Sequence, residues 1–248
     1  MSRIAKLFQE KKPYIGYLTA GDGGIKRTLE AALALVEGGV DLLEVGIPFT
    51  DPVADGPVIQ EAMERALQKG TTPQDVLDFV KAFRKKSEVP LVLFSYYNPI
   101  LKGGKAFLDQ AAEAGVDGIL IVDLSIEEGE AFRKASPLET ILLVAPSTPE
   151  SRIEKIAEAA SGFIYYVSRK GTTGAKNTLP EDLETKVQTI KAHTSLPVVV
   201  GFGVSNAAMV EQILQIADGF VVGSYLVEAI GSGKTSQELI KLTRGLVP

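Results

Sequence analysis

The sequence contains no cysteine, no tryptophan and a single histidine, His193, among 248 residues. Without cysteine, disulfides, thiolate nucleophiles and cysteine-held metals are excluded. His193 lies just before the seventh predicted strand, at the end of the fold away from the loops that follow strands. Proton transfer therefore falls to carboxylates. Positive charge is in deficit as well: 26 Lys and Arg against 31 Asp and Glu give a formal net charge of −5. That balance argues against a nucleic-acid-binding surface, which is usually basic, while leaving room for a local phosphate site. No apolar run approaches the ~20 residues needed to span a bilayer. Residues 1–13 are charged throughout, with no apolar stretch of the signal-peptide kind. The expectation is a cytoplasmic chain with neither membrane nor nucleic acid as partner.

What is present is a rhythm. The chain is 45% hydrophobic and 23% charged, an ordinary globular composition. Short β-rich runs at 14–19, 42–45, 91–96, 118–122, 140–144, 163–167, 197–200 and 219–222 alternate with helical patterns. Runs such as Ile119-Leu120-Ile121-Val122 and Val198-Val199-Val200 fit strands of a parallel sheet buried on both faces. Apolar residues at helical spacing mark 28–37, 73–86, 105–114, 149–160, 180–192 and 205–216. Ser205 is placed to cap the helix at 206–216, and Pro180 to open another, with Glu181 and Asp182 behind it. The phrase Glu113-Ala114-Gly115-Val116-Asp117-Gly118 has an echo at 37–41, where Gly ends a helix and Val-Asp leads into the next strand. Eight βα units in about 250 residues predict one domain over 1–248, a closed (β/α)8 TIM barrel. The alternative, an open doubly wound sheet, would carry a Gly-x-Gly-x-x-Gly fingerprint after the first strand. The residues there are Thr19-Ala20-Gly21-Asp22-Gly23-Gly24.

Barrel chemistry gathers where the strands' C-terminal ends meet. Glu44 ends the second strand and Asp55 lies on the Pro-braced loop after it. Glu44 sits between Leu43 and Val45, so its environment is apolar and its pKa is predicted to rise, which suits a group that both gives and takes a proton. Asp55, read as nearer water, is predicted to stay ionised, and two carboxylates pushed apart in this way divide acid and base roles. Asp22 and Asp123 end on the same face, where each is either a helix cap or a member of the site. Gly201-Phe202-Gly203 after the seventh strand and Gly223-Ser224 after the eighth predict phosphate binding through backbone N–H groups and the Ser224 hydroxyl. Gly231-Ser232-Gly233-Lys234-Thr235 imitates a P-loop, but position 228 holds Glu, and the segment reads as a helix-ending turn. The Gly-punctuated loop after the sixth strand, 168–176, suits a lid. Of Tyr165 and Tyr166, alternation turns one into the barrel. Lys170 on that loop leaves a Schiff-base aldolase as a rival mechanism.

These segments together resemble the tryptophan synthase alpha subunit family. They are Tyr17-Leu18-Thr19-Ala20-Gly21-Asp22, the stretch from Glu44 to Pro57, Tyr96-Tyr97-Asn98-Pro99, the stretch from Asp117 to Asp123, Ser168-Arg169 with Gly171-Thr172-Thr173-Gly174, and Gly201-Phe202-Gly203-Val204-Ser205. The resemblance implies a lyase that splits indole-3-glycerol phosphate into indole and glyceraldehyde 3-phosphate in tryptophan biosynthesis. It makes Glu44 the acid/base at the indole ring carbon and Asp55 the partner of the indole N–H. It places Tyr17, Leu120, Tyr165 and Phe202 around the substrate, Thr173 on a lid that reaches Asp55, and the phosphate against Gly174, Gly203, Gly223 and Ser224. It implies no cofactor in this chain, and a partner beta subunit carrying pyridoxal phosphate in an alpha2-beta2 heterotetramer, with Asn98 and the segment near Asp51 towards it. Two positions depart from the family pattern: Gly23 and Ser125 stand where proline is usual. Loss of proline predicts looser loops and altered coupling to the partner. A barrel that binds ligand and activates a partner while turning over little alone remains the alternative.

Overall fold

Apolar runs of four to six residues become eight strands: β1 (Tyr14–Thr19), β2 (Leu42–Gly46), β3 (Leu91–Ser95), β4 (Gly118–Ile121), β5 (Glu139–Val144), β6 (Ile164–Val167), β7 (Val198–Gly201) and β8 (Gly219–Val222). The computed structural model describes residues 1–168, 179–201 and 203–247. The strands pair in parallel in chain order and close into a barrel, β8 returning to β1 with Tyr14 opposite Phe220. Alternation sorts the side chains into two apolar layers. Leu43 and Val45 face outward to the helices, while Ile15, Leu42, Val92, Leu120 and Val199 fill the barrel.

The helical patterns appear as α2 (Ile25–Glu37), α4 (Pro73–Arg84), α6 (Gly104–Ala114), α8 (Glu150–Ala159), α9 (Leu183–Ala192) and α10 (Ala207–Ile216). Two predicted starts move. Asn206, not Ser205, caps α10, its side chain accepting from Met209 N–H. Pro180 lies in a turn ahead of α9, which begins after Asp182. Six further helices occur among the described residues: α1 (Arg3–Glu10), α3 (Pro57–Gln68), α5 (Tyr97–Leu101), α7 (Glu130–Ala135), α11 (Ser224–Gly231) and α12 (Ser236–Arg244). The turn at 231–235 ends α11, and Thr235 then caps α12 in a capping box with Glu238. α1 corrects the reading of residues 1–13 as merely charged. Ile4 and Leu7 form an apolar stripe that enters the inner layer from below, and Phe8 packs on Phe163 with ring centroids 5.6 Å apart.

The Val-Asp rhythm acquires a physical role at the barrel bottom. Asp41 accepts the Tyr14 N–H, Asp117 the Leu91 N–H and Asp218 the Val198 N–H. At the remaining position the Ser161 hydroxyl accepts from Thr140 N–H. A residue one to three positions ahead of each even-numbered strand thus clips the first or second residue of the preceding odd-numbered one.

Candidate active site

Glu44 lies on the inner face of β2, opposite Tyr17 of β1 and Val92 of β3. It is 1% exposed, and its Oε1 has no hydrogen-bond partner among the described residues. Burial raises its pKa from 4.5 to about 8, so it stands protonated at neutral pH. Asp55 corrects the expectation of a carboxylate near water, for it is only 6% exposed. Burial pushes its pKa up to about 6, while a hydrogen bond from the Tyr96 hydroxyl, at 2.7 Å, pulls it down. The predicted order nonetheless holds: near pH 7 Glu44 is the acid and Asp55 the anion.

Aromatic rings wall the pair. Tyr17 packs edge-on against Phe94 at 5.4 Å. Tyr165 points into the barrel and Tyr166 into the outer layer, on the opposite faces that alternation predicted. Burial, then the nearby Asp55 and Glu44 respectively, hold the Tyr17 and Tyr165 hydroxyls well above their usual pKa. Two glycines make room for them. A Cβ on Gly46 would lie 2.1 Å from the Tyr17 hydroxyl, and one on Gly201 would lie 2.2 Å from the Tyr165 hydroxyl. Gly201 thus belongs to β7 and serves a tyrosine, a use that the Gly-x-Gly reading as a phosphate turn did not foresee.

Glu44, Asp55, Tyr17 and Tyr165 share a small cavity of about 50 Å³ with Gly203, Gly223 and Ser224. Gly203 adopts φ +79°, open to glycine and strained for other residues. Gly223 and Ser224 start α11, whose first N–H groups lack intrahelical partners and suit an anion. No Lys or Arg is among the described residues lining this cavity. A second cavity of about 520 Å³ adjoins it through Asp55, Phe94 and Tyr165 and runs past Val122 towards α8, within the roughly 300–1,000 Å³ of small-molecule pockets. Leu120 is buried in the inner layer and lines neither cavity. Phe94 and Val122 do so instead. Thr173, Gly174, Phe202 and Lys170, with the predicted lid, lie outside the described residues.

The other carboxylates are struts. Asp22 is buried and takes two hydrogen bonds, of 2.7 and 2.9 Å, from Arg65 of α3. Asp123 accepts the Tyr97 N–H at the start of α5. His193 sits at the far end, against Glu150. At the two departures from the family pattern, Gly23 takes φ +78°, which proline cannot reach. Ser125 accepts the Glu128 N–H and donates to the Glu128 carboxylate. At position 125 a local side-chain contact thus stands where proline is usual, and at position 23 the backbone takes a conformation closed to proline. Tyr96 and Arg65 were not assigned roles from the sequence. Tyr96 follows the last residue of a barrel strand, a position that itself points to the site. Arg65 shows its purpose only through contact.

A family model described as "Tryptophan synthase alpha chain" matches residues 4–245. The tryptophan synthase alpha chain of Coxiella burnetii (strain CbuK_Q154) is 51% identical over 251 residues, covering 100% of this chain and 98% of the relative. That of Chlamydia felis is 47% identical over 255 residues, covering 100% and 99%. Among solved structures, one from Pyrococcus furiosus, described in terms of mutual activation of the tryptophan synthase a2b2 complex, superposes with a TM-score of 0.90 at 41% identity, covering 95% of this chain and 98% of that one. Tryptophan synthase subunit alpha from Legionella pneumophila gives 0.89 at 38%, covering 99% and 97%.

Proposed function

The chain belongs to the tryptophan synthase alpha chain family, and from that premise we propose how Glu44 and Asp55 carry its reaction, the cleavage of indole-3-glycerol phosphate to indole and glyceraldehyde 3-phosphate. The observation that carries the mechanism is the buried pair on one cavity: Glu44 with an unpartnered oxygen among the described residues, and Asp55 with a hydrogen bond from Tyr96. Protonated Glu44 gives its proton to the indole ring carbon that bears the side chain. Asp55, as the anion, accepts a hydrogen bond from the ring N–H and balances the positive charge that develops there. Glu44, now a carboxylate, takes the proton of the neighbouring side-chain hydroxyl. The carbon–carbon bond breaks, its electron pair returns to the ring, indole leaves, and the aldehyde of glyceraldehyde 3-phosphate forms. Glu44 ends protonated, ready for the next turnover. Gly203, Gly223 and Ser224 hold the phosphate and fix the scissile bond over Glu44, with Gly174 and the Thr173 lid completing the enclosure. Tyr17 and Tyr165 flank the ring together with Phe202, and Phe94 takes the place first given to Leu120.

The partner is a beta subunit carrying pyridoxal phosphate, in an alpha2-beta2 assembly. Val53 on the loop after β2 and Leu101 of α5 are exposed apolar residues on loop and helix beyond strand C-terminal ends, in keeping with a docking surface there. No helix among the described residues is long and apolar enough to cross a membrane, and the proposed compartment is the cytoplasm. The test is turnover of indole-3-glycerol phosphate by the purified chain, with and without a beta subunit, followed by indole fluorescence, to which this tryptophan-free chain adds little background. kcat/KM is expected to follow a bell between about pH 6 and pH 8. Absence of indole under both conditions would refute the reading.

A further inference from the structure

Beside the catalytic pair stands a tyrosine that the reaction scheme above does not use. Tyr96 is 1% exposed and is fixed from three directions. The Ser95 hydroxyl donates to its carbonyl at 2.9 Å. The Phe49 ring packs against its ring with centroids 5.2 Å apart. Its hydroxyl accepts from the Ala54 N–H at 2.9 Å and donates to Asp55 Oδ2 at 2.7 Å. One oxygen therefore joins the backbone and the carboxylate of adjacent residues on a loop whose neighbouring Val53 is 78% exposed.

We infer that Tyr96 is a positioning residue for the reaction: it fixes the Asp55 carboxylate against the end of β3 and ties that carboxylate to the backbone of the loop bearing it. The inference rests on the reading of Asp55 as the anion that faces the indole nitrogen. The Asp55 side chain is buried although the loop that bears it is exposed at Val53, so its orientation depends on the bonds it makes inside. A hydroxyl whose lone pair is already engaged by Ala54 N–H has its proton left for Asp55, so the bond has a single direction. The same bond favours the ionised form of Asp55 and opposes the effect of burial. Other ionisable groups around Asp55 are Glu44 on β2, Tyr17 on β1 and Tyr165 on β6. Asp123 lies near Tyr96, and the Arg152 guanidinium along the larger cavity is engaged by Glu127. None of these donates to Asp55 among the described residues, so the Tyr96 bond is the contact to remove.

The experiment compares wild type with Tyr96→Phe and with 3,5-difluorotyrosine placed at position 96, each assayed for kcat and KM from pH 5 to pH 9. Phenylalanine keeps the ring and its packing on Phe49 but deletes the donor; fluorination keeps the donor and strengthens it. The expected result is that Tyr96→Phe lowers kcat roughly tenfold, with KM changed less than about threefold, and moves the acid limb of kcat up by about one pH unit. The fluorinated protein moves that limb down. The substrate phosphate titrates near the same pH, but its limb does not follow the residue at 96. Wild-type limbs in both variants, or movement in the same direction, would overturn the inference. Should Tyr96→Phe fail to fold, the fluorinated protein alone decides: a limb that stays in place or rises counts against Tyr96. An Asp55→Asn variant separates the two layers. Full turnover there removes Asp55, and Tyr96 with it, from the reaction. An inactive Asp55→Asn beside a wild-type profile in Tyr96→Phe removes only Tyr96.

Discussion

The carboxylates at the barrel bottom and the catalytic pair at its mouth are treated in opposite ways. At the bottom, Asp41, Asp117 and Asp218 each accept a strand N–H, and each also meets a cation. Lys11 reaches Asp41, Arg84 and Arg3 grip Asp117, and Lys191 reaches Asp218. At the mouth, Glu44 has an oxygen with no partner among the described residues, and Asp55 is met by a neutral phenol rather than a cation. A carboxylate supplied with an N–H donor and a cation is tied into the fold and stiffens it. One denied a cation is held near its switching point, which costs stability and serves proton transfer. Burial alone does not tell these apart, since Asp22, at 4% exposure, is as hidden as Asp55. The partner set does.

The comparison breaks most visibly in turnover. Glu44→Gln is expected to lower kcat roughly 10³-fold, and Asp55→Asn nearly as far, with substrate still bound in both. An indole-release assay with a direct binding measurement checks this, and a wild-type rate in Glu44→Gln would remove Glu44 from the chemistry. At the other end the loss is in stability. Asp117→Ala strands the Arg84 guanidinium among the carbonyls of Gly115, Ser87 and Val89 and is expected to cost roughly 3–5 kcal/mol. Urea unfolding measures that cost, and the folded fraction should keep near-normal kcat. Glu44→Gln sharpens the contrast by moving stability the other way. Glu44 binds its proton more tightly in the folded state (about 8 against 4.5). Wild-type stability therefore falls as pH rises from about 4.5 to 8, and the variant escapes that fall. Its advantage should grow across that window to on the order of 3 kcal/mol near neutrality, and a constant difference from pH 5 to pH 8 would contradict the assignment. The smallest effect is at the uncharged clip. Ser161→Ala should cost about 1 kcal/mol with no dependence on pH, read from thermal melts at pH 5 and pH 8.

Much of this was legible in the sequence because it is periodic or local. Apolar runs set the strands within a residue or two at their ends, and parity put Tyr165 and Tyr166 on opposite faces, while the closed barrel decided that Tyr165 is the inner one. The Gly-Val-Asp echo announced the bottom clips without revealing what they hold. Asp55 was misjudged because a Pro-rich loop reads as solvated, whereas Tyr96, 41 positions away, closes over it. The stripe of α1 went unseen because Ile4 and Leu7 are few among charges, and only an open barrel base gives them something to bury against.

The sequence by itself determined the number of strands, the alternation of faces along each and the acids available, because these follow from chain-local geometry and side-chain chemistry. Tertiary structure decided which acid received a cation and which was left without one. Arg65 meets Asp22 across 43 positions and Arg84 meets Asp117 across 33. Such meetings exist only once the barrel has closed, because proton affinity depends on the charges and donors within a few ångströms, whatever their distance along the chain.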